Sequence, residues 1–111
     1  MRNVEETVKA MEGIWKKALE KGLYTPLVIA RAKHKKAGVN DGLYLREGLE
    51  GALVGLCGMV DECDLTDAEK TAAAKELAGR YVVEKKGGYE MCRIPDALEP
   101  PLVELPGYGI V

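Results

Sequence analysis

The segment G-L-E-G-A-L-V-G-L-C-G-M-V, residues 48–60, constrains the fold most, because four glycines interrupt the most hydrophobic stretch of the chain. Each glycine in a helix interior costs about 1 kcal/mol relative to alanine. At about 100° per residue, however, the glycines fall within an arc of about 80°, and the larger apolar side chains occupy the neighbouring arc. This order predicts a helix from about Leu43 to Cys63, with a leucine face and a glycine face formed by Gly48, Gly51, Gly55 and Gly58.

The glycine face predicts a surface that another backbone approaches closely, because small residues leave room for such contact. The helix would then pack on two sides and form the centre of the domain. Either another segment of the same chain or a second copy of the chain covers the glycine face, and the sequence leaves both open. A phosphate-binding loop is excluded, because the glycine spacing fits neither nucleotide-binding pattern and no strand is predicted ahead of it.

Two helices are predicted before this segment from apolar periodicity and terminal residues. Residues 4–21 form an amphipathic helix with Asn3 as its N-cap, acids in its first turn and lysines toward its end. The second helix has Thr25 as N-cap and Pro26 as its first residue, and it ends at Gly38. Bases crowd its last turns, as the helix dipole favours.

A fourth helix is predicted after the glycine-rich one. Thr66 and Glu69 have the spacing of a capping box, which opens a helix from Asp67 to about Gly79. The sequence V-N-D-G at 39–42 is typical of a turn and separates the second helix from the third. The chain is therefore expected to be mainly helical.

A β-hairpin is predicted at 81–94, where two β-rich runs flank a Gly-Gly turn. The register that gives one apolar face pairs Lys86 with Tyr89, Lys85 with Glu90, Val83 with Cys92, and Tyr81 with Ile94. Residues 95–111 contain four of the five prolines, and residues 96–111 are predicted to form an extended tail that packs on the domain and includes at most one short strand. The predicted organisation is one domain over 1–95, followed by this tail.

The charges and cysteines of the chain exclude several classes of protein. Residues 1–46 carry ten Lys/Arg and five Asp/Glu, and residues 47–111 carry six and thirteen, which predicts two halves that pack on each other. The charged N-terminus and the short apolar runs predict neither a signal peptide nor a membrane span. Three widely spaced cysteines without a C-x-x-C motif predict reduced thiols in a cytoplasmic protein.

The basic segment 31–36 is the first candidate site, since clustered bases contact phosphates. Its members are Arg31, Lys33, Lys35 and Lys36. The competing interpretation is a basic helix end that complements the dipole. His34, the only histidine, is predicted to be structural, because no carboxylate lies near it in sequence.

The remaining titratable residues predict no catalytic centre, no metal site and no cofactor. The cysteines lack zinc spacing, and Cys57 and Cys63, six residues apart on one helix, are expected to point about 120° from each other. The acidic residues around Asp61 lack the ligand pattern of a calcium-binding loop.

The predicted fold is α+β and mainly helical: four helices around a central Gly/Leu-rich helix, a C-terminal β-hairpin and an extended tail. The predicted function is that of a small cytoplasmic, non-enzymatic interaction or adaptor protein that acts through protein–protein contacts as a homo-oligomer, with the glycine face as the hypothetical interaction surface. A nucleic-acid-associated regulator that uses residues 31–36 is the first alternative, and a small-ligand sensor or enzyme is the second.

Overall fold

The chain folds into four α-helices and two small antiparallel sheets. The structure is a computed structural model that describes residues 2–39 and 42–111. The helices are α1 (Val4–Lys21), α2 (Thr25–Lys36), α3 (Arg46–Met59) and α4 (Asp67–Arg80). The strands are β1 (Tyr44–Leu45), β2 (Val82–Lys86), β3 (Tyr89–Cys92), β4 (Glu104–Leu105) and β5 (Gly109–Ile110), with a 3₁₀ turn at Asp96–Leu98. The predicted mainly helical α+β class is confirmed.

The helix ends follow the capping residues in α1 and α4. The Asn3 side chain accepts from the Glu6 N–H at 2.9 Å, and Thr66 and Glu69 form the predicted capping box at the start of α4. Thr25 is not the N-cap of α2, because the helix already includes it and Tyr24 precedes it without a side-chain cap. Of the predicted turn at 39–42, residues 40 and 41 lie outside the described residues.

Helix α3 is shorter than the sequence predicts. Residues Tyr44 and Leu45 pair with β3 instead of joining the helix, and Val60 leaves it in an extended conformation. The predicted bounds, Leu43 to Cys63, are therefore wrong at both ends. A short strand does precede the glycines, so only their spacing now argues against a phosphate-binding loop.

The β2–β3 hairpin has the predicted register only near its turn. Lys86 lies opposite Tyr89, and Lys85 lies opposite Glu90. An irregularity between Val82 and Glu84 then places Val82 opposite Cys92, so the predicted Val83–Cys92 pair is wrong. Beyond it, the Arg93 N–H donates to the Tyr81 oxygen at 3.0 Å, one residue away from the predicted Tyr81–Ile94 pairing. Val83 is consequently 59% exposed.

The core lies between the leucine face of α3 and the elements around it. Helix α3 contacts the other three helices and the sheet in the order β1-β3-β2, which confirms its central position. Leu49, Leu53 and Leu56 are at most 1% exposed. Trp15 of α1 is fully buried, and its Nε1–H donates to the Leu98 oxygen at 3.0 Å, which ties the 3₁₀ turn to the core.

The last residues lie on the outer side of α2 and form a second, smaller cluster. Val28 and Ala32 of α2 are buried together with Val111, and Val103 and Leu105 pack around them. Strands β4 and β5 form a two-stranded antiparallel hairpin where at most one short strand is predicted. In the described part of the chain, no helix has both the length and the apolar character needed to cross a membrane.

Candidate functional site

Half of the glycine face packs against helix α2 of the same chain. A Cβ atom added to Gly48 would lie 2.4 Å from the Cε1 and Nε2 atoms of His34, and one added to Gly55 would lie 3.2 Å from Pro26. Because Pro26 begins α2 and His34 lies near its end, α2 and α3 run in opposite directions at close range. Within the glycine face, a side chain at Gly48 would clash with the His34 ring, and one at Gly55 would require a small shift of Pro26.

The other half of the glycine face is open. A Cβ atom added to Gly51 or Gly58 would meet no atom within 4 Å among the described residues. With Glu47 and Val54, which is half-buried and also packs against the core, these glycines form a stripe at helical spacing along one side of α3. We call Glu47, Gly51, Val54 and Gly58 the outward face of α3.

His34 is a packed structural residue, as the sequence predicts. It is 6% exposed, its Nδ1 accepts from the Leu45 N–H at 3.2 Å, and its ring meets the Tyr44 ring edge-on at 6.0 Å. The accepting Nδ1 requires a neutral ring with the proton on Nε2. Burial, and then the neighbouring Lys33, lower the pKa of His34 below its ordinary value.

Acidification is expected to destabilise the fold through this histidine. Because its pKa is lower in the folded than in the unfolded chain, its contribution is complete above about pH 6.5 and declines as the pH falls below that value. The free energy of unfolding should fall with a slope of at most about 1.4 kcal/mol per pH unit, the limit for one proton. Urea unfolding at several pH values between 7.5 and 5 measures this slope.

His34→Gln provides the control, since it removes the only histidine of the chain. Other side chains with ordinary pKa values do not titrate in this interval. The slope should disappear in the variant, and an equal slope in both proteins would contradict the assignment to His34.

Arg31 anchors the C-terminal tail, and both terminal nitrogens of its guanidinium donate hydrogen bonds within the chain. Its side chain is 11% exposed and forms an ion pair with Glu99 at 3.0 Å. It also donates to the backbone oxygens of Pro100, Pro101 and Val111 at 2.6 to 2.8 Å. The same Glu99 oxygen accepts from the Tyr44 hydroxyl at 2.9 Å, and burial, followed by Glu99, raises the pKa of Tyr44.

The rest of the basic segment also lies near the tail. Lys36 places its Nζ 5.2 Å from the centre of the Tyr108 ring, and Lys35 Nζ lies 3.4 Å from the Ile110 oxygen. Lys33, Lys35 and Lys36 are exposed. If the segment binds phosphates, as the alternative function requires, these three exposed lysines would contact them. Arg31 would contribute less, because its guanidinium is already hydrogen-bonded within the chain.

A cleft of about 460 Å³ opens beside this anchor. Lys35 and Arg93 line it together with Asp96 and Glu99, and apolar side chains such as Leu102 complete its walls. Because both signs of charge are present, the cleft has no clear preference for an anionic or a cationic ligand.

Arg46 forms a network of hydrogen bonds between three elements of the fold, which the sequence does not predict. Its guanidinium donates to both oxygens of Glu90 at 3.2 Å and to the Lys75 oxygen at 3.0 Å. A Cβ atom on Gly79 would lie 2.7 Å from the Arg46 Nη2, so this glycine leaves space for the guanidinium. The sequence predicts Gly79 only as the end of a helix. This glycine is the one sequence feature that could have indicated space for a neighbouring side chain such as Arg46. This network joins α3, α4 and β3.

The cysteines fall into a pair and a single residue. The buried Cys57 thiol and the half-exposed Cys63 thiol lie close enough to interact. The predicted 120° separation assumes that both cysteines lie on one helix, and it does not apply, because α3 ends at Met59 and Cys63 belongs to the turn that follows. Cys92 is buried elsewhere, and its thiol donates to the Ala78 oxygen at 3.3 Å.

Within residues 2–39 and 42–111, no three His, Cys, Asp or Glu side chains are grouped so that they could bind a metal ion. Among the residues described above, His34, Arg31 and Arg46 pack or anchor elements of the fold. Comparison with known proteins found no family model, no curated protein and no solved structure that matches the chain.

Proposed function

We propose that this protein is a non-enzymatic interaction protein that self-associates through the outward face of α3. The observation that carries the proposal is the contrast among the four glycines. Gly48 and Gly55 lie against α2, whereas Gly51 and Gly58 have no neighbouring atom within 4 Å of a Cβ position in the described chain.

The free-energy cost of the open glycines supports this proposal. Gly51 lies in the interior of α3 and destabilises the helix by about 1 kcal/mol relative to alanine, whereas Gly58 is the next-to-last residue of α3 and costs less. No contact within the described chain offsets this cost at Gly51 and Gly58. A second helix lying on the outward face would offset it, because the absence of side chains allows close contact between helix backbones.

A second copy of the chain is the simplest partner, because no other molecule is then needed. A two-fold axis through the outward face would place α3 of each protomer on α3 of the other, since a two-fold interface uses the same surface twice. Val54 lies between Gly51 and Gly58 on this face and would supply the apolar centre of the contact.

The test is the association state of Gly51→Leu compared with that of the parent protein. Sedimentation equilibrium at tens of micromolar should give a dimer for the parent and a monomer for Gly51→Leu, because the leucine would separate the two helices. The circular dichroism of the variant should be unchanged, since Gly51 has open space around it within the protomer.

Gly13→Leu is the matched control. Gly13 is also an exposed helix-interior glycine with nothing within 4 Å of its Cβ position, but it lies on α1. The control should remain a dimer. A monomeric parent protein at these concentrations, or equal dimers in all three proteins, would overturn the proposal.

A further inference from the structure

The turn that follows α3 brings two thiols together at the edge of the core. Helix α3 ends at Met59, and the Cys63 N–H donates to the Val60 oxygen at 3.2 Å. This turn folds the chain back, so that the Cys63 side chain packs against the same core cluster that contains Cys57. The Cys63 thiol is thus a neighbour of Cys57, and after burial it is the group that most raises the pKa of the Cys57 thiol.

Two ion pairs hold this loop on helix α1. Glu62 accepts from Lys21, the last residue of α1, at 2.7 Å, and Asp64 accepts from Arg2, which precedes α1, at 2.5 Å. Exposed ion pairs are individually weak, but two of them flanking one residue restrict where it can move. Cys57 is fixed in the helix. Both cysteines are therefore held at the two sides of this turn in the reduced fold.

The surroundings give the two thiols different roles. Cys57 is 3% exposed, and its burial raises the pKa of its thiol to about 12, against the opposing effect of the nearby Lys70 ammonium. Cys63 is half-exposed and is the thiol that a dissolved oxidant reaches first. Cys92 is fully buried and lies outside this pair.

We propose that Cys57 and Cys63 form a dithiol site that hydrogen peroxide converts to an intramolecular disulfide. The Cys63 sulfur attacks one peroxide oxygen, the O–O bond breaks, and one water leaves as Cys63 becomes a sulfenic acid. The Cys57 sulfur then attacks the Cys63 sulfur, the S–O bond breaks, and a second water carries away the Cys57 proton. Two thiols lose two electrons in total, and the peroxide is reduced to two waters.

Trypsin digestion separates the relevant cysteines and makes the test direct. Cys57 and Cys63 fall in one tryptic peptide, residues 47–70, and Cys92 falls in another, residues 87–93. The folded protein is treated with hydrogen peroxide, unfolded, alkylated and digested. We expect the first peptide to lose both alkylation sites and to weigh two hydrogen atoms less than its reduced form, and the second to remain alkylated.

Two variants and one condition keep the test specific. Cys92→Ser should give the same disulfide, and Cys63→Ser should give none. In guanidinium, disulfides that include Cys92 should appear beside the Cys57–Cys63 disulfide, because unfolding exposes Cys92. In the folded protein, disulfides that join two chains, disulfides that include Cys92, or a Cys63 oxidised to the sulfinic acid with Cys57 still alkylated would overturn the proposal.

Discussion

Arg31→Met is expected to lower the free energy of unfolding by about 3–5 kcal/mol, the usual effect of removing one partner from a buried ion pair. The guanidinium donates to the Glu99 carboxylate and to three backbone oxygens of the tail, and its side chain is only 11% exposed. Methionine would keep the apolar stem and remove every donor. Glu99 would retain only the Tyr44 hydroxyl, and because its side chain is 30% exposed, the loss should lie toward the lower end of this range.

Urea unfolding at neutral pH measures this effect, and Lys35→Met is the control. Lys35 lies on the same helix and reaches a tail oxygen at 3.4 Å, but it is exposed, so its loss should stay within about 0.5 kcal/mol. Hydrogen exchange should show faster exchange at the Val103 and Val111 amides, which bond each other across the tail. A loss below about 1 kcal/mol for Arg31→Met would show that the anchor contributes little.

The role of Arg31 shows what a local sequence pattern cannot provide. The segment 31–36 indicates a basic helix end or a phosphate contact, and both interpretations treat its four bases alike. Arg31 differs from the lysines because its acceptors lie 68 to 80 residues further along the chain. Contacts of that separation depend on the path of the tail, and the proline-rich sequence fixes only its extended character.

The parts of the fold that the sequence does predict are those set by neighbouring residues. The Asn3 cap and the Thr66–Glu69 capping box each involve residues within one helical turn, and both lie where expected. The start of α3 is wrong for the opposite reason. Leu43 to Leu45 have helical periodicity with the residues that follow, but pairing with β3 draws Tyr44 and Leu45 into a strand.

The glycine face was predictable as an angular pattern and unpredictable as a set of contacts. A helical wheel places four glycines on one arc, but it contains no information about which neighbour each one meets. The structure divides the arc between α2 and open space. The Cys57–Cys63 pair is a related case, because its geometry depends on where α3 ends, and helix ends are the least certain part of a sequence-based assignment.

Gly48→Ala is expected to lower the free energy of unfolding by about 1–3 kcal/mol, the range for overpacking a close contact. Helix propensity alone predicts the opposite sign, a gain of about 1 kcal/mol. The added Cβ would lie 2.4 Å from two atoms of the His34 ring. That ring cannot simply move aside, because it is buried and bonded to the Leu45 N–H, and displacing it would leave this donor without its acceptor.

Two comparisons separate the clash from the helix propensity. Gly51→Ala places the same methyl group in the same helix where no atom lies within 4 Å, so at concentrations that keep the chains monomeric it should gain about 0.5–1 kcal/mol. In Gly48→Ala/His34→Ala the ring is absent, so Gly48→Ala should no longer be destabilising in that background. If both glycine variants gain stability equally, α2 and α3 do not approach each other at Gly48 as closely as the structure has them, and the four glycines must be explained by contacts outside the protomer.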